Sequence, residues 1–388
     1  MYFSVPEYKE RLAKTKKSME EKGIEVLLIT NPGNMCYLTG YDAWSFYVHQ
    51  MLIVALDEEE PIWVGRGIDR TAAQFTTWLK EENMIAYPDD HVQSATKHPM
   101  DYVCKVLEER NLDKKTIGME FDTYYFTAKC YMRLSQGLPN AKIVDGYGIV
   151  NWVKIVKSEQ EIEYMRRAGI IAAKAMQAGI DAIQAGVRQC DVVAEINYVS
   201  TKGTEEFGGD YPGHVPLLPS GEQTSACHMT WTDEPLVQGE PSIIEMAGAY
   251  RRYNVPMART VSIGEPSDEL RRLADVCIEG INEALDVVKA GVTAEEVEMA
   301  WRKSIEKKGF KKESRIGYSI GLNFPPSWGE ETVSLRPGDK TVLQPNMTLH
   351  MIPGMWLDGI GMEISQSFIV TENGYEVLGD VPRELFVK

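Results

Sequence analysis

The sequence predicts an α+β fold in two parts, an α/β domain over 1–150 and a larger, internally duplicated domain over 151–388. Three observations predict it. The first 150 residues alternate amphipathic helical stretches with short apolar runs. The texture changes around "VNWVKIVKSEQEIEYMRRAG", where Ser158 and Glu161 spell a capping box ahead of a long helical pattern. Finally, one segment repeats another: "IDAIQAGVRQCDVVAEI" (180–196) and "LDVVKAGVTAEEVEMAW" (285–301) keep Asp, Ala-Gly-Val and a later Val in step. Each copy sits where a long helix meets an Ala-Gly turn and a second helix.

Taken in order, residues 8–23 read as a charged amphipathic helix, and "EVLLIT", "MLIVAL" and "PIWVG" as strands parted by acidic or proline-containing turns. Helices are expected over 71–81, 100–110 and 124–134, with "TIGMEF" as a further strand. Past the boundary, helix pairs are followed by strands with period-two alternation, ending in "MTLHMIPGMWL" and "GMEISQSFIVTENGYEVL". Two such halves place a shared pocket at their pseudo-twofold seam.

The formal net charge of -16 disfavours nucleic acid and anionic membranes, which need a positive face. A small neutral, zwitterionic or cationic partner fits better. No apolar run is long enough to span a membrane, and the N-terminus lacks the basic and apolar regions of a secretory signal, so a cytoplasmic protein is expected. The six cysteines (36, 104, 130, 190, 227 and 277) contain no C-x-x-C pair and read as reduced, buried thiols. The six histidines show no H-x-x-x-H spacing, which removes the simplest helical zinc site.

The stretch "SIIEMAGAYRRYNVPMARTVSIG" looks like two strands joined by a basic turn, yet Glu245 interrupts the first. An inward carboxylate needs a partner or a task, because burying it alone is costly. Glu245 can act as general base or nucleophile, or pair with Arg251, Arg252 or Arg259. Glu363, placed by the pattern on the last long strand, is a second carboxylate suited to holding a cationic group. His350 alternates with Leu349 and Met351 and can point into the same pocket. Trp44, Phe46 and Tyr47 concentrate aromatic faces that suit a delocalised cation, and Trp231, three residues after His228, is a similar wall.

Together, "KSEQEIEYMRRA", the duplicated helices and the preceding α/β domain resemble the creatinase and aminopeptidase P family, whose catalytic half has the pita-bread fold. Within it the chain is most similar to ectoine hydrolases, through "NMCYLTGYDAWSFYVHQ", "GGDYPGHVPLLPSG", "HMTWTDEP", "EMAGAYRRYNVPMART", "GLNFPPSWGE" and "SLRPGD". Peptidases of this family bind two divalent metals through two aspartates, a histidine and two glutamates. By motif those positions here are Glu245, Pro256, Tyr318, Ile352 and Ser365, so the resemblance implies neither the metal pair nor any other cofactor.

Creatinase works without metal and relies on a histidine; "SGEQTSACH" carries His228 at the same distance after Ser-Gly. The resemblance therefore implies His228 and Glu245 as catalytic residues. Glu363, Trp44, Phe46, Tyr47, Trp231, Tyr318, Asn254 and His350 become substrate-binding residues. It also implies a homodimer in which the aromatic segment of one subunit closes the pocket of the other. The implied substrate is ectoine, a small zwitterion with a cyclic amidine and a carboxylate, opened to N-acetyl-diaminobutyrate. Three positions depart from known relatives: Asn254 where ectoine hydrolases have histidine, Ile360 where tryptophan is familiar, and Ala258 where creatinase has glutamate. A creatinase-like amidinohydrolase, an Xaa-Pro dipeptidase relative and an inactive peptide-binding module remain as alternatives.

Overall fold

The computed structural model describes all 388 residues as two compact units, Met1–Lys154 and Ile155–Lys388. No helix is long and apolar enough to cross a membrane.

In chain order the first unit comprises α1 (Val5–Glu21), β1 (Val26–Ile29), α2 (Pro32–Thr39), β2 (Met51–Ala55), β3 (Ile62–Arg66), α3 (Arg70–Thr76), β4 (Met84–Tyr87), α4 (Pro99–Glu109), β5 (Thr116–Met119), α5 (Ala128–Gly137), β6 (Lys142–Asp145) and α6 (Ile149–Val153). The strands form one sheet in the order β4-β3-β2-β1-β5-β6, antiparallel only where β2 meets its two neighbours. Val26 and Leu28 pack with Met100, Leu107 and Leu134 on one face, while Leu27 and Ile29 pack with Leu12, Met35 and Leu38 on the other. Cover on both faces explains why "EVLLIT" is continuously apolar.

Two expected helices differ in extent. The helix expected over 71–81 ends at Thr76, since Thr76 and Thr77 turn their hydroxyls back onto the Ala72 and Ala73 carbonyls. Trp78 then leaves the helical path and donates its ring N–H to Leu38 O. The helix expected over 124–134 begins at Ala128, because Thr127 caps it.

The second unit comprises α7 (Glu159–Ala182), α8 (Gln189–Lys202), β7 (Pro241–Tyr250), β8 (Tyr253–Ser262), α9 (Asp268–Leu285), α10 (Ala294–Lys307), β9 (Gly317–Ile320), β10 (Gly329–Leu335), β11 (Thr348–Met351), β12 (Met355–Leu357), β13 (Ile360–Met362), β14 (Gln366–Val370), β15 (Tyr375–Leu378) and β16 (Phe386–Val387). Its sheets run β10-β9-β11-β14-β15, β12-β13 and β16-β8-β7. The capping box forms as the sequence requires, Ser158 N donating to Glu161 Oε2 at 2.9 Å. β7 and β8 pair over ten residues each and turn through Arg251 and Arg252, both at positive φ, the two-residue hairpin geometry that follows strand twist.

The duplication is visible in the backbone. Gly186 N donates to Leu236 O and Leu236 N to Val187 O; Gly291 N donates to Leu343 O and Leu343 N to Val292 O. Each helix pair is thus tied by the same two bonds to its own later segment. The two C-terminal stretches, by contrast, are interrupted strands. Non-strand residues 352–354 and 363–365 flank β12 and β13, so Glu363 lies between strands and not on the last strand as expected. Side chains replace the missing ladder: Glu363 N donates to Thr260 Oγ1, and Thr260 Oγ1 donates to Glu363 O.

Candidate active site

Glu245 sits on β7 opposite Ala258, with its backbone also paired to Leu217. It is buried, and its carboxylate has no hydrogen bond and no ion pair. The three arginines that the sequence offers as partners are engaged elsewhere. Arg251 stacks on Tyr164 and Tyr250, and Arg252 lies 3.8 Å above the Tyr211 ring. Arg259 donates to the carbonyls of Ala258, Ser365, Val381 and Pro382.

The neighbour that matters is Glu363, which is also buried and whose Oε1 has no hydrogen-bond partner. Burial pushes the Glu245 carboxyl up to about 8. Burial and then the charge of Glu245 hold Glu363 well above the usual carboxylate range, with Lys312 opposing. Two buried carboxyls within reach of one another's charge do not both ionise freely, so the two titrate together. Gly354 makes room for it: a Cβ there would stand 3.1 Å from Glu363 Cγ and 2.6 Å from the Trp356 ring.

Lys312 and Cys227 join the site without having been anticipated. Lys312, between α10 and β9, donates to Gly354 O and stands 4.0 Å from the Trp356 ring centroid. Burial draws its ammonium down to about 8, against the pull of Cys277 and Glu363. Cys227 precedes His228, with its sulfur 3.6 Å from His228 Nδ1. Burial and then the charges of Glu363 and Glu245 raise its thiol, which places Cys227 in their field. His228 itself is exposed; its loop is tied toward β7 through Met229 O, which accepts from Leu218 N beside the Leu217 pairing with Glu245.

Tyr318 and His350 form a second polar group. Trp328 Nε1 donates to Tyr318 Oη at 2.8 Å, leaving the phenol hydrogen for His350 Nδ1 at 3.3 Å. Burial, then Arg259, pushes His350 down to about 3, so its ring is neutral. That hydrogen-bond chain assigns its proton to Nε2, which has no partner. Burial and the Glu245 charge hold the Tyr318 phenol above its ordinary value.

The remaining expected residues have contacts of their own. Asn254 is fully buried; Oδ1 accepts from Gly213 N, and Nδ2 donates to Arg252 O and Asn323 O. Its amide therefore fastens two loops to β8 and has no hydrogen left for a substrate. Trp231 packs against the apolar cluster containing Met176, Leu218 and Ile244. In the first unit, Trp44 and Phe46 stack at 4.7 Å and Phe46 meets Tyr125, while Trp44 and Tyr47 are 58% and 64% exposed.

Residues 163–372 match the model of metallopeptidase family M24, and residues 11–156 that of the creatinase/prolidase N-terminal domain. The chain belongs to metallopeptidase family M24. It is 45% identical to an ectoine hydrolase of Halomonas elongata over 100% of this chain and 98% of the other. An uncharacterised hydrolase/peptidase of Sinorhizobium fredii is 43% identical over 100% and 99%. Among solved structures, a prolidase from Thermococcus sibiricus superposes with a TM-score of 0.85 at 20% identity, covering 98% of this chain and 99% of that one, a likeness of fold.

This M24 chain does not carry a donor set for paired divalent metals. Of the five family positions only Glu245 offers a carboxylate. Pro256 and Ile352 have no donor atom. Ser365 Oγ accepts from Ala258 N, and Tyr318 Oη from Trp328. Hard divalent ions require several anionic oxygens. No three His, Cys, Asp or Glu side chains converge in the second unit.

Proposed function

We propose that this chain opens the ring of ectoine, or of a closely similar cyclic amidine bearing a carboxylate, to N-acetyl-diaminobutyrate, with no metal taking part. The observation that carries this reading is the buried carboxyl pair of Glu245, at a family metal position, and Glu363, two residues before another, in a chain 45% identical over its length to an ectoine hydrolase.

An amidinium entering this site brings the positive charge that the carboxyl pair lacks. It favours ionisation of both, and the shared proton leaves as substrate binds. Glu363, with its unpartnered oxygen, holds the cationic nitrogens, and Lys312 faces the substrate carboxylate. The amidinium carbon is already electron-poor. Ionised Glu245 either takes the proton of a water adding to that carbon or adds to it directly, in which case a water then cleaves the Glu245–carbon bond and frees the carboxylate. Collapse of the tetrahedral centre breaks one ring C–N bond, and His228 delivers a proton to the departing nitrogen. Water thus supplies the oxygen of the new amide and the hydrogen added to the departing nitrogen. The neutral amide of a dipeptide brings no charge to offset the carboxyl pair.

We further propose a homodimer in which Trp44, Phe46 and Tyr47 of one subunit wall the pocket of the other. The test is purified protein of measured metal content, incubated separately with ectoine, creatine and an Xaa-Pro dipeptide. Ectoine consumed with one equivalent of acetylated product, undiminished by chelator, supports the reading. Activity that needs added manganese or zinc, or turnover of the dipeptide alone, overturns it. Peptide affinity without any turnover identifies a binding module instead.

A further inference from the structure

Three ligand-type side chains from separate stretches of sequence converge in the first unit. His49 precedes β2, His98 is the N-cap of α4, and Cys130 is the third residue of α5. One ligand atom from each lies within 4.8 Å of the others. Cys130 Sγ is 3.5 Å from His49 Nδ1, and the two imidazole centroids are 4.9 Å apart. A tetrahedral zinc ion, with bonds of about 2.3 Å to sulfur and about 2.0 Å to nitrogen, sets sulfur and nitrogen about 3.5 Å apart. A cavity of about 260 Å³ adjoins both imidazoles and is also lined by Tyr87, His91 and Lys97.

The surroundings favour ligation. Both imidazoles are partly buried at the edge of the cavity and offer a lone pair when neutral. The Thr127 hydroxyl donates to the Cys130 sulfur at 3.3 Å, and the start of α5 adds positive potential. A divalent cation completes the stabilisation of the thiolate. Tyr87 fixes the His49 backbone by donating to its carbonyl at 2.6 Å. His98 Nδ1 accepts the cap bond from Met100 N at 3.2 Å, and the reciprocal bond runs from His98 N to Asp101.

We propose that His49, His98 and Cys130 form a binding site for a zinc-class divalent ion, with a fourth position open to the adjoining cavity. A thiolate with two imidazoles selects such an ion over magnesium, calcium or manganese.

The test uses the full chain, stripped by chelator, desalted and titrated with Co²⁺ as a spectroscopic probe and then with Zn²⁺. The expected result is one equivalent of Co²⁺ giving a thiolate-to-cobalt charge-transfer band, displaced by one equivalent of Zn²⁺. Cys130→Ser removes the band. His98→Asn retains a good N-cap and weakens Zn²⁺ binding by about 10- to 100-fold or more, while His214→Ala, in the second unit, leaves it unchanged. No charge-transfer band in the parent protein, or equal Zn²⁺ affinity in the parent and His98→Asn, overturns the proposal and leaves a thiol donating to an imidazole. Far-UV circular dichroism verifies each fold, and His98→Asn decides the matter should Cys130→Ser fail to fold.

Discussion

Glu245 and Glu363 repel one another inside a site with little solvent, and that repulsion is measurable. In the folded chain Glu245 titrates near 8 against an ordinary 4.5, so its folded form binds protons more tightly than its unfolded form. Stability from this group is complete below about pH 4.5 and is lost as pH rises through about 8. Thermal unfolding of the parent protein is expected to shift to lower temperature across that window, with a smaller shift in Glu363→Gln; equal shifts would remove the coupling. Catalysis follows the opposite course. Since kcat/KM reports the free enzyme, it should decline as pH falls below about 8, while kcat holds to lower pH because bound amidinium keeps the pair ionised. Glu245→Gln should lower kcat by about 10²- to 10⁴-fold with the fold preserved, and an active variant would exclude Glu245 from the chemistry. Glu245 was legible because a carboxylate breaks a strand pattern. Lys312 was not: it follows Lys311 in the charged stretch "KKESR", and nothing local says that one of these five residues is buried.

At the level of elements, the Ala-Gly turns of the two repeats carry equivalent loads. Gly186 and Gly291 have φ of 84° and 88°, and a Cβ at either meets nothing within 4 Å. Gly186→Ala and Gly291→Ala should therefore each cost about 1 kcal/mol from backbone strain alone, to equal extents, in urea unfolding. Gly248 differs, since a Cβ there would stand 2.3 Å from Ala172 N and 2.4 Å from Ala168 O. It lets α7 lie directly on β7, and Gly248→Ala should cost more than either turn variant by forcing the helix off the strand that carries Glu245. A Gly248→Ala protein of parental stability would contradict this packing. The repeat, the capping box and the continuous apolar strands were readable because local pattern dictates them. The strand interruption that carries Glu363 was not, because Thr260, 103 positions away, supplies the hydrogen bonds that a strand would otherwise provide. The cluster of His49, His98 and Cys130 was hidden for the same reason: its members come from three separate stretches of chain, and only the folded unit brings them together.

On the scale of the whole molecule, the candidate residues fall in both units. The acidic pair and Lys312 belong to the second, whereas the exposed aromatic residues Trp44 and Tyr47 belong to the first. If each pocket takes its chemistry from one subunit and its aromatic wall from the other, two different inactive chains can repair one another. Glu245→Gln supplies a sound wall without chemistry; a chain with Trp44, Phe46 and Tyr47 all changed to alanine supplies chemistry without a wall. Each homodimer is inactive. Mixed at equal amounts after dissociation, half of the dimers are heterodimers with one of two pockets intact, so activity should recover to about a quarter of the parent value. Because a closed symmetric dimer exchanges the same surface in both directions, that recovery requires the wall to cross between subunits. Mixtures as inactive as their components, with heterodimers verified by mass, would place the wall within its own subunit or outside the site altogether.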